Sequence, residues 1–188
     1  MKIIIIGLGL IGGSIAKALS SSQDYEILAF DSNQNSIKNA LDNQSIQGSL
    51  HSLDDLENSE YEDSVVIIAT PPSATDDILK SLDFIFNSSV TITDTTSTKS
   101  SLNKTLQEFN FPKNIVFSHP VAGSHLSGEK NSFADLFNEK STILSYHDSV
   151  GSQHIDRVTN LWNTLGSNIT VLDAELHDKI FAYSSHLP

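Results

Sequence analysis

The stretch Ile3-Ile-Ile-Ile-Gly7-Leu-Gly9-Leu-Ile-Gly12-Gly-Ser-Ile-Ala16 decides the fold of this chain. It opens with four consecutive isoleucines, and such a continuous apolar run predicts a strand that is buried on both faces of a sheet. Three glycines follow with the spacing G-x-G-x-x-G, and apolar residues at helical spacing come next. The same glycine pattern also occurs in ordinary tight turns, so the order of strand, glycine turn and helix is what makes it informative.

The glycine turn is predicted to bind the pyrophosphate of a dinucleotide. Gly7 permits a tight turn, Gly9 lets a pyrophosphate approach the backbone, and Gly12 lets the helix pack closely on the strand. The N-terminus of the helix adds free N–H groups and the positive end of the helix dipole. The predicted cofactor-binding segment therefore also includes the residues between the glycines, Leu8, Leu10 and Ile11.

An acidic residue at the end of the next apolar run identifies the dinucleotide. Asp31 ends the run Ile27-Leu-Ala-Phe-Asp, where its carboxylate can accept hydrogen bonds from both hydroxyls of a ribose. Ser32, Asn33 and Gln34 follow, so a 2′-phosphate would meet a carboxylate and no adjacent cation. The sequence therefore favours NAD over NADP.

The alternation of strands and helices predicts an α/β fold with a doubly wound, mostly parallel sheet of the Rossmann-like kind. Helical spacing of apolar residues lies between the strand candidates, as in Ile155–Trp162. The predicted strands are Lys2–Ile6, Glu26–Phe30, Ser64–Ala69, Val90–Thr93, Ile115–Ser118, Ser141–Tyr146 and Asn168–Leu172. Asp173 is expected to cap a helix over Ala174–Ser185.

Composition excludes several classes of protein. The chain has 188 residues, of which 38% are hydrophobic and 18% are charged, and its apolar runs are far shorter than the roughly 18 residues of a membrane span. A net charge of −12 argues against binding to nucleic acid. The absence of cysteine rules out disulfides and thiolate metal sites and favours a cytoplasmic location.

Histidine spacing predicts no metal site. His51, His147 and His154 have no partners at the spacing of metal ligands, and we expect them to be surface residues. Arg157, the single arginine, is expected on the solvated side of its helix.

Ligands of a doubly wound sheet lie beyond the carboxyl ends of its strands, so the residues that follow each strand are site candidates. The third strand ends in Thr70-Pro71-Pro72-Ser73, a rigid turn that can flank an adenosine or a nicotinamide ribose, with Ser73 as a helix cap. A plain turn would use the same residues.

Hydroxyl groups are unusually dense after the fourth strand, in Asp94-Thr95-Thr96-Ser97-Thr98-Lys99. The helix expected over Lys99–Phe109 needs one cap, which Asp94, Thr95 or Thr96 can supply. We assign Asp94 and Thr95 to the cofactor site, and Ser97 to the substrate and catalytic site because the surplus of hydroxyls suggests a ligand.

His119 ends the fifth predicted strand, and Pro120 restricts the backbone immediately after it. An imidazole at this edge of the sheet could take a proton near neutral pH while a hydride moves to a nicotinamide. A structural histidine beside an apolar strand is the other interpretation, and the residues alone leave both open.

Five motifs occur in an order that resembles the prephenate and arogenate dehydrogenases of tyrosine biosynthesis. They are Gly7-Leu-Gly-Leu-Ile-Gly-Gly-Ser14, Ala69-Thr-Pro-Pro72, Thr93-Asp followed by Ser97-Thr-Lys99, Ser118-His-Pro-Val-Ala-Gly123, and Leu176-His-Asp178 followed by Ser185-His-Leu-Pro188. The resemblance covers the whole chain, and its specific parts are His-Pro-x-Ala-Gly and Ser-His-Leu-Pro.

The resemblance implies NAD-dependent oxidative decarboxylation of prephenate to 4-hydroxyphenylpyruvate. It makes His119 the base that hydrogen-bonds the ring hydroxyl and Ser97 the residue that supports it. It also implies a substrate-binding set of Ser97, His119, Gly123, Ser124, His125, His177 and His186. His125 departs from the acid that relatives carry there, and two interpretations stay open: a residue that binds a substrate carboxylate, or a plain loop residue.

The resemblance further implies two domains, a dinucleotide-binding domain over residues 1–172 and the first helix of a helical domain over 173–188. The remainder of that helical domain, which in relatives supplies arginine for the substrate carboxylates and forms a homodimer, is expected beyond this chain. The sequence leaves three alternatives open: arogenate as the substrate, a β-hydroxyacid dehydrogenase that uses a lysine on a later helix, or a module that binds NAD without catalysis.

Overall fold

The structure, a computed structural model, describes residues 1–122 and 128–185 of the chain. Within these residues it has the strands β1 (Lys2–Ile6), β2 (Glu26–Phe30), β3 (Gly48–Ser49), β4 (Val65–Ile68), β5 (Thr91–Asp94), β6 (Phe117–Pro120), β7 (Ser141–Ser145) and β8 (Asn168–Val171). The helices are α1 (Leu10–Leu19), α2 (Gln34–Asp42), α3 (Pro72–Ser81), α4 (Ser100–Glu108), α5 (Ser152–Thr164) and α6 (Ala174–Ser185). Short 3-10 turns fill several of the connections.

The strands form a doubly wound sheet, as predicted, but its last two strands reverse direction. Five parallel strands have the order β3-β2-β1-β4-β5. A parallel bridge between Ile92 and Ile115 places β6 beside β5. β7 is antiparallel to β6, and β8 is parallel to β7. The carboxyl ends of β1, β2, β4, β5 and β6 therefore share one edge of the sheet, which is where such folds bind their ligands.

The four isoleucines of β1 are buried on both faces of the sheet. Ile3 and Ile5 pack into one core with α1 and α5, whereas Ile4 and Ile6 pack into a second core with α3 and α4. All four have at most 1% of their surface exposed. This confirms the interpretation of the apolar run, because successive side chains of a strand point to opposite faces.

Several predicted boundaries differ from the structure. β3 has two residues, too few for a hydrophobic pattern, and was not predicted. β6 begins two residues later than expected and continues through His119 to Pro120, because its pairing with β7 extends it. α3 begins at Pro72 rather than near Ala74, and the residue at its N-cap is Pro71, so the predicted capping role of Ser73 is wrong.

At the opposite edge of the sheet, the prediction that His154 is a surface residue is wrong. His154 is buried, with 3% exposure, and its Nδ1 lies 2.7 Å from the hydroxyl of Thr91. Arg157 is partly exposed, and its guanidinium donates to the carboxylate of Asp63 at 2.6 Å and to the carbonyl of Ser89 at 2.6 Å. These contacts were invisible in the sequence because they join residues more than 60 positions apart. His51 and His147 are exposed, as expected.

No helix in the described part of the chain combines the length and the apolar character that crossing a membrane requires.

Candidate active site

The glycine turn has the geometry that the sequence predicted. Gly7 has a φ of +97°, a backbone conformation that favours glycine. A Cβ atom at Gly12 would lie 1.9 Å from the carbonyl oxygen of Gly7, so only glycine lets α1 approach the turn this closely. A Cβ atom at Gly9 would meet no atom within 4 Å. The open space at Gly9 is where a pyrophosphate would approach the backbone at the N-terminus of α1.

Asp31 joins the end of β2 to the glycine turn. Its carboxylate accepts hydrogen bonds from the backbone N–H of Leu8 at 2.6 Å and from that of Asn33 at 2.7 Å. The side chain thus lies at the mouth of the cavity expected to hold a ribose. A cavity of about 330 Å³ beside it brings together five of the predicted cofactor residues, Gly7, Gly9, Asp31, Thr70 and Pro71. The residues present therefore fit a dinucleotide.

A second cavity, of about 490 Å³, extends from Leu8, Gly9 and Asp31 toward Lys130. The backbone N–H of Phe133 donates to the hydroxyl of Ser14 in α1, which holds the segment that follows β6 against this helix. The segment carries Lys130 to the cavity. Sequence reasoning missed this cation because it looked for one only next to Asp31, and Lys130 is distant in the chain.

The predicted strand-end residue Asp94 forms a buried ion pair with Lys99. The ammonium group lies 2.6 Å from the carboxylate of Asp94 and donates to the backbone carbonyl of Ser118 at 2.7 Å. Burial lowers the pKa of Lys99, and the nearby charge of Asp94 opposes that shift. The carboxylate also accepts from the backbone N–H groups of Thr96 and Ser118. Its side chain therefore joins β5 to β6, and a contact of Asp94 with a cofactor stays a prediction.

His119 lies at the end of β6, directly after the carbonyl that Lys99 binds. It is 8% exposed, and its Nδ1 lies 2.8 Å from Nε2 of His177 in α6. Burial, then the charge of Lys99 and the proximity of His177, lowers the pKa of His119 from 6.5 to about 4. The imidazole is therefore neutral near pH 7, as a proton acceptor must be.

The pair His177-Asp178 from α6 completes this site. His177 is fully buried, and its Nδ1 lies 2.7 Å from the carboxylate of Asp178. The ring of Phe181, one helical turn later, packs against the imidazoles of His119 and His177 at centroid distances of 4.6 and 4.7 Å. Sequence reasoning placed His177 at the substrate but missed Phe181, whose only signal was its spacing of four residues from His177.

Asp178 also caps α4, a role that the sequence assigned to other residues. Its carboxylate accepts from the backbone N–H of Lys99 at 2.9 Å and from that of Ser100 at 2.7 Å. No side chain of the preceding turn caps the helix, so the prediction of Asp94, Thr95 or Thr96 as the cap is wrong. The cap comes from a helix more than 70 residues further along the chain.

For the remaining predicted site residues that the structure describes, it gives a position in the fold but no hydrogen bond to His119. Ser97 is exposed in the turn after β5, and Nδ1 of His119 pairs with His177 rather than with Ser97. Thr95 is half-buried and donates its backbone N–H to the carbonyl of Ile68, whereas Pro72 is exposed at the start of α3. Leu10 and Ile11 form the first turn of α1. Gly123, Ser124, His125 and His186 lie outside the described residues.

Comparison with known proteins gives a consistent result. The family described as prephenate dehydrogenase, nucleotide-binding domain, matches residues 15–171. A cyclohexadienyl dehydrogenase of Zymomonas mobilis is 32% identical over 188 residues, which cover 99% of this chain and 63% of that protein. A prephenate dehydrogenase of Lactococcus lactis is 31% identical and is covered over 51% of its length.

A solved structure supports the same relationship. Prephenate dehydrogenase from Aquifex aeolicus in complex with hydroxyphenyl propionate and NAD+ superposes with a TM-score of 0.85 at 28% identity, over 96% of this chain and 63% of that one. The chain thus spans between about half and two thirds of the length of these relatives. The family match covers most of the chain and includes the strand that carries His119. The chain therefore belongs to the family of prephenate dehydrogenase nucleotide-binding domains.

Proposed function

We propose that this chain is the NAD-binding part of an enzyme that oxidises and decarboxylates prephenate to 4-hydroxyphenylpyruvate. The single observation that supports this most is the environment of His119. A neutral imidazole stands at the sheet edge that also carries the glycine turn, in a chain of this family. The relative from Aquifex aeolicus, whose structure contains NAD+ and hydroxyphenyl propionate, supports the choice of ligands.

The proposed cofactor residues are Gly7, Leu8, Gly9, Leu10, Ile11, Gly12, Asp31, Thr70, Pro71, Pro72, Asp94 and Thr95. In this assignment the N-terminus of α1 holds the pyrophosphate, and Asp31 accepts hydrogen bonds from the hydroxyls of a ribose. NAD supplies a hydride acceptor for the ring carbon that carries the hydroxyl group. We favour NAD over NADP because the Asp31 carboxylate would repel a 2′-phosphate. Lys130 lines the adjoining cavity, so an assay with NADP also tests whether its ammonium group binds a 2′-phosphate.

His119 acts on the hydroxyl group of the substrate ring. Its neutral imidazole accepts a hydrogen bond from that O–H and draws the proton away as the carbon–oxygen bond gains double-bond character. The bond to the departing carboxylate breaks, its electron pair enters the ring, and the proton is available again for the phenol oxygen of the product. The reaction thus needs a correctly held base more than a strong one.

The substrate-binding residues in this proposal are Ser97, His119, Gly123, Ser124, His125, His177 and His186. Arogenate is the second candidate substrate, because the relative from Zymomonas mobilis is a cyclohexadienyl dehydrogenase and its name specifies only the ring. The two substrates differ in the side chain, away from the hydroxyl group that His119 would bind.

We further propose that α6 begins a second, helical domain and that the full-length enzyme is a cytoplasmic homodimer. Three exposed apolar side chains favour the second domain and the dimer. They are Val171 of β8, and Leu176 and Ile180 on one face of α6. Exposed apolar surface of this kind is typical of an interface. Residues 1–172 would then form the dinucleotide-binding domain, and 173–188 the start of the next one.

The experiment is a set of parallel assays on the full-length protein. Formation of reduced cofactor is followed at 340 nm with prephenate, arogenate and small 3-hydroxyacids, each with NAD and with NADP. We expect turnover of prephenate with NAD, and a loss of about 10²–10⁴-fold in kcat in His119→Asn without a change in NAD affinity. Turnover of hydroxyacids alone would favour the β-hydroxyacid alternative, and tight binding of NAD with no turnover would favour a binding module.

A further inference from the structure

We propose that Asp178 is a positioning residue that acts through His177 to decide which ring nitrogen of His119 carries the proton. With that proton on Nδ1, Nε2 of His119 keeps a free lone pair with which it can act as a base. The inference rests on the proposed function, since it concerns the same base, and it adds a residue that touches neither substrate nor cofactor. It is carried by a continuous set of contacts between α6, α4 and β6.

The first step is the ionisation state of the Asp178 carboxyl. Burial raises the pKa of its carboxyl, but hydrogen bonds from the Ser100 hydroxyl, from His177 and from the backbone N–H groups of Lys99 and Ser100 outweigh burial and lower the pKa to about 2. The carboxylate is therefore ionised near neutral pH. An ionised carboxylate only accepts hydrogen bonds.

The second step is the direction of the two hydrogen bonds that follow. Because Asp178 only accepts, Nδ1 of His177 must carry a proton and donate to it over 2.7 Å. If His177 is neutral it has one N–H, and Nε2 of His177 is then an acceptor. Nδ1 of His119, at 2.8 Å, must donate to that acceptor. The single proton of neutral His119 is thereby placed on Nδ1, and Nε2 keeps its lone pair.

The third step is the rigidity of this arrangement. Lys99 contacts both of its ends: its ammonium binds the carbonyl of Ser118, next to His119, while its backbone N–H binds Asp178. The rings of His119 and His177 are inclined by 70°, and Phe181 packs against both. The imidazole of His119 is therefore packed against two rings and hydrogen-bonded through Nδ1, and both contacts oppose an exchange of its two nitrogens.

The charged groups around His119 come from three elements. Lys99 precedes α4, Asp94 ends β5, and His177 and Asp178 belong to α6. Protonation of His177 would reverse the direction of its hydrogen bond with His119, because a cationic His177 would donate to Nδ1 of His119 and move the proton of His119 to Nε2. The contacts from Asp178 through His177 to His119 thus predict a definite tautomer of His119 when His177 is neutral. That tautomer can be measured directly.

The test is the tautomer of His119 in the full-length protein labelled with ¹⁵N-histidine. Two-bond ¹H–¹⁵N correlation spectra near pH 7 distinguish protonated from unprotonated ring nitrogens, and His119→Asn and His177→Asn assign the signals. We expect the His119 ring to carry its proton on Nδ1. A His119 ring that carries its proton on Nε2 overturns the proposal. This measurement needs no turnover, so its failure is distinct from a failure of the proposed function.

Kinetics provide a second, independent reading with a matched control. Asp178→Asn should lower kcat about 10²-fold, less than the about 10⁴-fold seen where an Asp orients a catalytic His directly. It should also raise the population of the Nε2–H tautomer of His119 and leave the affinity for NAD unchanged. Asp173→Asn removes the same charge from the start of α6 and keeps the helix cap that Asp173 provides. Equal kcat values in the two variants would overturn the proposal, and the wild-type tautomer decides it even if Asp178→Asn does not fold.

Discussion

At the scale of single residues, the site depends on the removal of one imidazole from water. An exposed histidine titrates near pH 6.5 and would be partly cationic under ordinary conditions. Burial of His119 beside Lys99 penalises the cation and keeps the ring neutral. The proposed function of His119 as a base thus rests on its surroundings rather than on its identity alone.

The pH dependence of catalysis should reflect this shift. The pKa of His119 is lowered to about 4, so the neutral ring that accepts a proton predominates above that value. We therefore expect kcat/KM, which reports the ionisation of the free enzyme, to show no loss from His119 between pH 8 and 5 and to fall as the pH drops through about 4. A pH–rate profile measured with prephenate and NAD tests this. A decline centred near pH 6.5 that persists in His177→Asn would contradict it.

At the scale of elements, the glycine turn needs glycine for two different reasons: Gly12 for folding and Gly9 for the proposed binding of the cofactor. A side chain at Gly12 collides with the backbone of the turn, whereas one at Gly9 enters open space in the free chain. The backbone of Gly9 has a φ of −71°, which any residue can adopt. The two glycines should therefore fail in different ways when they are replaced.

Gly12→Ala should lower the free energy of unfolding by at least about 2 kcal/mol, because α1 must move away from β1 to relieve the overlap. Gly9→Ala should leave the stability within about 0.5 kcal/mol of the wild type and weaken NAD binding at least tenfold, because the new methyl group occupies the approach of the pyrophosphate. Urea titration and calorimetry measure the two effects. The same loss of stability in both variants would refute the distinction.

The buried pair Lys99–Asp94 is the corresponding connection between elements. Lys99→Met should destabilise the protein by about 3–5 kcal/mol, because it leaves the carboxylate of Asp94 buried without its cation. Lys80→Met is the control, since the ion pair of Lys80 with Glu108 is exposed and worth less than about 1 kcal/mol. Chemical denaturation compares them. Similar losses in the free energy of unfolding for both variants would mean that the buried pair stabilises the protein no more than an exposed pair does.

At the scale of the whole molecule, the candidate active site is assembled from the two ends of the described chain. The glycine turn comes first in the sequence, and α6 comes last, yet α6 caps α4 and holds the ring of His119. The face of α6 with Leu176 and Ile180 is a different one from the face with His177 and Phe181, because residues four apart share a face. One helix thus contacts the site and presents an apolar surface.

Replacing Leu176 and Ile180 together by Glu tests whether that surface is covered in the full-length protein. If a second domain buries both side chains, the double variant should lose at least about 2 kcal/mol of stability and shift the protein toward monomers, while the affinity for NAD stays the same. Thermal denaturation and analytical ultracentrifugation provide the readout. Lys179→Glu adds charge at an exposed position of the same helix and should change neither property. An unaffected double variant would argue against an interface at this face.

Local patterns were sufficient for most of the fold. The isoleucine run, the glycine spacing and Asp31 predicted the first βαβ unit, because each of these signals arises from neighbours in the sequence. The boundaries of β6, the reversal of β7 and the two-residue strand β3 were not predictable, since they depend on pairing with distant strands. The burial of His154 was missed for the same reason: its partner Thr91 lies 63 residues away.

The sequence by itself determined the first βαβ unit and the dinucleotide turn, because periodicity and glycine spacing act over a few residues. Only the tertiary structure decided what the residues at the strand ends do. It brought Asp178 to the start of α4, Lys99 under β6 and His177 against His119, and it buried Lys99, His119 and His177. Protonation states and tautomers follow from burial and from partners in three dimensions, and neither quantity is encoded in any short stretch of the chain.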